Sequence, residues 1–312
     1  MDASVTEPIA ESAAPAARPG AWRRLRRNMA VRIGGTVLVL LALASLFAPW
    51  LGTVDPGLLD PANRDLLPGT SGEITSLDGK SVAHTFWMGT DSYGRDIYSR
   101  VLYGGRVSLV VGVTVAALCL AIGLVIGLAA GYVRSLDSVV MRVMDGLMAI
   151  PGILIAIAVV ALWRASLLTV IMAITIPDIP RVTRLVRSLV LSIREEPYVE
   201  AAVSVGTSTF KLLYRHVFPN TLAPLIVQGT YICALAILVE AALSFLGVGL
   251  PADVPTWGNI MAEGRLQFNQ YPHNVFFPGL FLALTVLAVN MLGDGLRDTL
   301  DPRFNKRGDR PA

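Results

Sequence analysis

Residues 107–132 read VSLVVGVTVAALCLAIGLVIGLAAGY, 26 positions without one charged side chain. As an α-helix this run is about 39 Å long, more than the roughly 30 Å of a bilayer's hydrocarbon core. Five further apolar blocks flank it: 33–50, 139–163, 167–176 with a helical continuation beyond, 221–246 and 275–296. Composition agrees, because 54% of the 312 residues are hydrophobic and 16% are charged, against roughly 25% charged in soluble domains. A soluble globular enzyme is excluded, and the sequence predicts an all-α polytopic membrane protein with six transmembrane helices.

Outward from that run, residues 1–20 are rich in Ala, Pro, Glu and Ser without apolar periodicity, and predict a disordered stretch. A basic cluster, Arg23, Arg24, Arg26 and Arg27, completes a cytoplasmic tail over 1–30. The first span follows over 31–50. A cleaved signal peptide is its rival, since Ala42-Leu43-Ala44 imitates a cleavage site, but the apolar run continues through Leu46 and Phe47. Residues 51–104 form an extracytoplasmic insertion, 105–298 a five-helix core, and 299–312 a charged cytoplasmic tail. Within the core, Pro151 predicts a kink inside a single span over 139–163. Pro177-Asp178-Ile179-Pro180-Arg181 interrupts the fourth block and predicts a kinked helix leaving the membrane early, or a broken helix beside a pathway.

Lys and Arg number 19 in the two tails and the segments after spans two and four, against 7 in the alternate segments. The positive-inside rule then places both termini in the cytoplasm. Gly123, Gly127 and Gly131 repeat every four residues on one helix face, the pattern of close helix packing. Three polar groups fall at or near membrane depth: Asp178, Glu240 and Asn290. Glu240 is placed near the outer surface, snorkelling or in an ion pair. Asp178, between two prolines, is the candidate for lining a pathway.

Several chemistries lack their residues. Cys119 and Cys233 lie within apolar spans as small hydrophobes. His84, His216 and His273 are too scattered for a metal site. Gly79-Lys80-Ser81 imitates the end of a phosphate loop, but Ile74 stands where the leading glycine must be. No catalytic residue, metal or cofactor is expected, and nothing points to nucleic acid.

The stretch Glu200-Ala201-Ala202-Val203-Ser204-Val205-Gly206, running on through Thr207 to Phe218-Pro219, predicts two short helices with a bend at Gly206 and a cap at Thr207 or Ser208. Glu-Ala-Ala, three residues, Gly, then an apolar residue before Pro resembles the signature loop of ABC-importer membrane subunits. Three more segments resemble the second permease subunit of dipeptide and oligopeptide importers: Gly89-Thr90-Asp91-Ser92-Tyr93-Gly94-Arg95-Asp96, then Glu240-Ala241-Ala242-Leu243-Ser244-Phe245-Leu246-Gly247, and Asn290-Met291-Leu292-Gly293-Asp294.

The resemblance implies a type I ABC importer permease fold and a bacterial inner-membrane location. The loop at about 195–219 would seat Glu200, Ala201, Ala202 and Gly206 against a cytoplasmic ATPase. Lys211 and Arg215 either reach acidic groups on that partner or form a solvated face. The implied partners are a second homologous permease, two ATPase subunits that use ATP and Mg, an extracytoplasmic substrate-binding protein, and membrane lipid. Peptides or similar small solutes are the implied cargo. The rival class is a self-sufficient proton-coupled transporter or channel using Asp178 and Glu240, which gives the Glu-Ala-Ala loop no role; a membrane-embedded enzyme lacks a catalytic constellation.

Overall fold

The computed structural model describes residues 25–75 and 81–300, so the expected disordered stretch over 1–20, the residues after 300 and the Gly79-Lys80 lookalike lie outside the described residues. Ten α-helices and one hairpin follow in chain order among them: α1 (Met29–Leu46), β1 (Thr70–Thr75), β2 (Ser81–Phe86), α2 (Ile97–Tyr132), α3 (Arg134–Met148), α4 (Gly152–Leu162), α5 (Leu167–Arg194), α6 (Pro197–Ser204), α7 (Thr209–Leu212), α8 (Phe218–Phe245), α9 (Trp257–Gly264) and α10 (His273–Leu300). Four helical runs are long and apolar enough to cross a membrane: α1, α2, the continuous stretch 209–245, and α10. The bent pair α3–α4 makes five if taken as one span. The chain is thus mostly helical.

Helix α1 starts where the Asn28 side chain accepts from the N–H groups of Ala30 and Val31 at 2.9 and 3.3 Å. It ends at Leu46, short of the expected 50, because Pro49 disfavours helical backbone at the residue before it, and the chain tightens into a 3₁₀ turn at Ala48–Trp50. Arg106 reaches across from α2 to the last carbonyls, Ser45 and Leu46, at 2.6 and 2.9 Å. Along its other side α1 lies so close to α10 that a Cβ at Gly34 would stand 2.6 Å from the Ala288 carbonyl oxygen.

The long helix α2 is the spine. Its 36 residues begin at Ile97, ten residues before the uncharged run; the first three turns carry Arg100 and Arg106, which an apolar count passes over but which are held by protein. The helix packs most extensively on α5. There a Cβ on Gly123, Gly127 or Gly131 would fall 2.5, 2.6 and 2.7 Å from the Cβ atoms of Val182, Val186 and Val190. A glycine every fourth residue faces a valine every fourth residue, which brings the two backbones together without voids.

Three expectations need correction. The all-α reading fails at residues 70–86, where β1 and β2 pair antiparallel from Thr70↔Phe86 to Thr75↔Ser81; these segments are six residues each and carry β-branched Thr, Ile and Val, too short to register as apolar blocks. The kink expected at Pro151 within 139–163 is instead a sharp corner, where two helices meet at 85°. The cause is Pro151, which restricts Ile150 and cannot donate to the helix, so α3 stops at Met148. The broken helix offered as an alternative at Pro177-Asp178-Ile179-Pro180-Arg181 is the third, because both prolines lie inside one 28-residue α5.

Candidate functional site

Residues 195–219 form a projecting loop whose geometry is local. Pro197 occupies the first turn of α6, where its missing N–H costs no helical bond. At the other end Gly206 has φ +81°, its N–H reaches the Val203 carbonyl at 2.9 Å, and Thr207 N–H reaches Ala202 at 3.1 Å. This pair of bonds is a Schellman closure, which requires the left-handed backbone that glycine supplies without strain. Nothing lies within 4 Å of a Cβ at Gly206, so conformation and not space demands glycine. Ser208 precedes α7 without a side-chain capping bond, contrary to the cap expected there, and α7 is a single four-residue turn that runs into a π-turn, Leu213–Val217, continuous with α8.

Glu200, Ala201 and Gly206 are exposed on this loop, and Ala202 is half-buried. Val199, Leu212 and Val217 turn inward and are buried, so the loop is seated on the bundle by its apolar underside. Arg194 fixes its root, donating to the Gly131 and Tyr132 carbonyls at the end of α2 at 3.1 and 3.2 Å. Its outer surface has apolar residues that the motif did not single out: Val205 is 87% exposed and Phe210 80%. The rings of Phe210, Tyr214 and Phe218 stack in a nearly parallel ladder with successive centroids 6.4 Å apart. Their apolar type in an otherwise polar loop was the available signal.

A cavity of about 360 Å³ opens where the α3–α4 corner meets α5 and α8. Asp178 and Arg181 are its charged lining residues, set among Pro151, Ile153, Pro177 and Leu235. The Asp178 carboxylate holds the Arg181 guanidinium at 3.1 Å, and the Tyr231 ring of α8 lies 5.9 Å from it. Each charge would cost about 3 kcal/mol at a helix centre facing lipid; here they face each other and the cavity. Arg181 was passed over in the sequence, although its i, i+3 spacing from Asp178 was visible.

Glu240 departs from its expected surroundings. It is wholly buried, accepts from Ser108 Oγ at 3.2 Å and Ser244 Oγ at 2.9 Å, and makes no ion pair among the described residues. The reason is tertiary: α2 brings Ser108 over a position that helical rise alone puts near the membrane surface. Glu240→Gln, which keeps a hydrogen-bonding amide, is expected to leave the thermal midpoint nearly unchanged, whereas Glu240→Leu strands two hydroxyls and should cost about 1–3 kcal/mol in detergent unfolding. Asn290 is exposed on α10, and the described residues contain no group of three potential metal ligands.

At the hairpin end, α2 and α9 are joined by a buried ion cluster. Arg100 Nη1 lies 2.5 Å from Asp91 Oδ2 and 2.6 Å from Glu263 Oε2. Arg95 pairs with the same two carboxylates at 2.8 and 2.5 Å. Beside it Asp96 caps α2, accepting from Ser99 N–H at 2.9 Å and from the Ser99 hydroxyl; burial pushes its carboxyl above the ordinary value, against those bonds and the nearby His84.

The family described as "Binding-protein-dependent transport system inner membrane component" matches residues 121–306, and "N-terminal TM domain of oligopeptide transport permease C" matches 20–68. The chain is 49% identical over 285 residues to the Sinorhizobium fredii protein named "Probable peptide ABC transporter permease protein y4tQ", covering 91% of this chain and 93% of that one. It is 40% identical to the dipeptide transport system permease protein DppC of Alkalihalophilus pseudofirmus, over 91% and 89% of the two chains. A structure titled as inward-facing conformations of the MetNI methionine ABC transporter shares the fold, with a TM-score of 0.52 at 16% identity, over 64% of this chain and 96% of that one. A permease of this family is a non-catalytic, multi-pass inner-membrane subunit without a cofactor, and ATP is used by a separate partner. That leaves no place for a self-sufficient proton-coupled transporter. The chain belongs to the binding-protein-dependent inner-membrane component family, as the second, oligopeptide and dipeptide C-type, permease subunit of a peptide ABC importer.

Proposed function

We propose that this permease crosses the inner membrane six times, with α3–α4 as one bent span, α5 as another, and both termini in the cytoplasm. With Arg181, which lies inside α5, left out of the count, Lys and Arg divide 18 to 7, and that distribution supports the orientation. Residues 51–104 then lie outside, where a substrate-binding protein delivers peptide. Residues 105–298 form the core, and the loop at 195–219 meets an ATPase. A second homologous permease completes the pore, two ATPase subunits drive it, and Asp178 lines the passage. Gly123, Gly127 and Gly131 keep α2 and α5 as one rigid pair, and lipid covers the apolar outer faces.

The observation that carries this reading is the loop: an exposed apolar surface, closed by a strict backbone turn at Gly206, whose root Arg194 ties directly to the end of α2. Force applied there reaches the spine helix through the short Arg194 bonds to the Gly131 and Tyr132 carbonyls. A tagged chain purified in mild detergent from its native membrane tests the assembly. Co-purification of another permease and ATPase subunits, with ATPase activity in the eluate, is the expected result; an ATPase-free homo-oligomer would overturn it.

A further inference from the structure

Asp178 and Arg181 share the cavity but not its opening. Asp178 is 6% exposed, while the Arg181 side chain is 44% exposed. The guanidinium is therefore the charged group that a molecule in the cavity meets first. It lies 14 residues into the 28-residue α5, near the helix midpoint, where an ionisable group signals a functional pathway. Its position is set from two helices, by the Asp178 carboxylate at 3.1 Å and by the Tyr231 ring at 5.9 Å. Among the described residues Arg181 has no further ion pair and no hydrogen bond, and the fork of Nε and Nη2 stays open.

A planar fork of N–H donors matches a carboxylate in two parallel hydrogen bonds. The remaining wall, with Met148, Ile153, Ala156, Ile174 and Leu235, offers apolar contact to side chains of varied shape and no second cation. Asp178 also limits the site. By neutralising part of the Arg181 charge it keeps anion binding weak, as a group in transit must be held and then released. We propose that Arg181 is a carboxylate-binding residue of the translocation pathway, positioned by Asp178 and Tyr231, and that it receives the free C-terminal carboxylate of the peptide in passage. This rests on the reading of the cavity as part of the pathway.

The test uses the whole importer in proteoliposomes, with Ile153→Cys as a reporter on the cavity wall. The parent chain, whose Cys119 is buried and Cys233 half-buried, sets the background alkylation rate. Millimolar alanyl-alanine is expected to slow alkylation about five-fold and its C-terminal amide less than about twofold, and Arg181→Gln to erase the difference while Arg181→Lys keeps part of it. Equal protection by acid and amide, no protection by either, or acid-selective protection that survives in Arg181→Gln overturns the proposal. So does loss of the second permease from the Arg181→Gln complex, which would assign the guanidinium to an acidic group of that subunit. Uptake of labelled peptide by the unmodified importer is read in the same vesicles. Full alkylation of the Ile153→Cys chain is expected to block its uptake; uptake that survives alkylation defeats the pathway reading itself, whereas blocked uptake without acid-selective protection defeats only the carboxylate site.

Discussion

Gly206→Pro is expected to lower ATP-driven peptide uptake by about tenfold or more, the span of typical coupling energies, while the chain still inserts in the membrane. Proline holds φ near −65°, and residue 206 requires +81°. The substitution also removes the N–H that Gly206 donates to Val203 at 2.9 Å. Both effects fall on the turn that separates α6 from α7, so the exposed Glu200, Ala201 and Val205 lose their orientation relative to Phe210 and Tyr214. Gly206→Ala is the informative control. It has open space for its methyl group and bears only the left-handed backbone cost, about 1–2 kcal/mol, so uptake should be reduced and not lost. The measurement is uptake in proteoliposomes beside ATPase co-purification; a Gly206→Pro chain that retains both removes the loop from the coupling path.

Arg100→Gln should destabilise the chain by about 3–5 kcal/mol, the usual penalty for stripping one partner from a buried ion cluster. Arg100 is 1% exposed and bridges Asp91 and Glu263 at 2.5 and 2.6 Å. Removing it leaves Arg95 alone between two carboxylates, in a place that water reaches poorly. The cluster clamps α9 to the start of α2, so its loss loosens that junction while α9 stays packed on α8 and α10. Thermal exposure of the buried Cys119 thiol gives the readout. Arg265→Gln, on the exposed surface, should shift the midpoint little. Raised salt should not reproduce the Arg100 defect, because buried pairs are weakly screened; a midpoint equal to the parent's would show that the cluster contributes nothing net.

Legibility from the sequence differed between elements. The runs behind α1, α2, α8 and α10 are apolar over lengths that only a membrane requires, and the length of a helix is counted along the chain. The turn at Gly206 was readable for a similar reason, since a Schellman closure joins residues three and five positions apart. The hairpin at 70–86 was also within reach: Asp78-Gly79 between two β-branched segments is a turn signal. Arg181 likewise stood three positions from Asp178.

What the sequence alone determined was where the chain must leave water and which short segments must bend. The tertiary structure decided which polar groups find partners. Ser108 and Glu240 are 132 positions apart and Arg100 and Glu263 are 163 apart, and neither periodicity nor propensity acts over such distances. The 85° corner before α4, the seclusion of Glu240 and the Tyr231 ring beside Arg181 arise because packing brings remote helices into contact. Local backbone preferences are written residue by residue, whereas burial is a property of whatever segment comes to lie opposite.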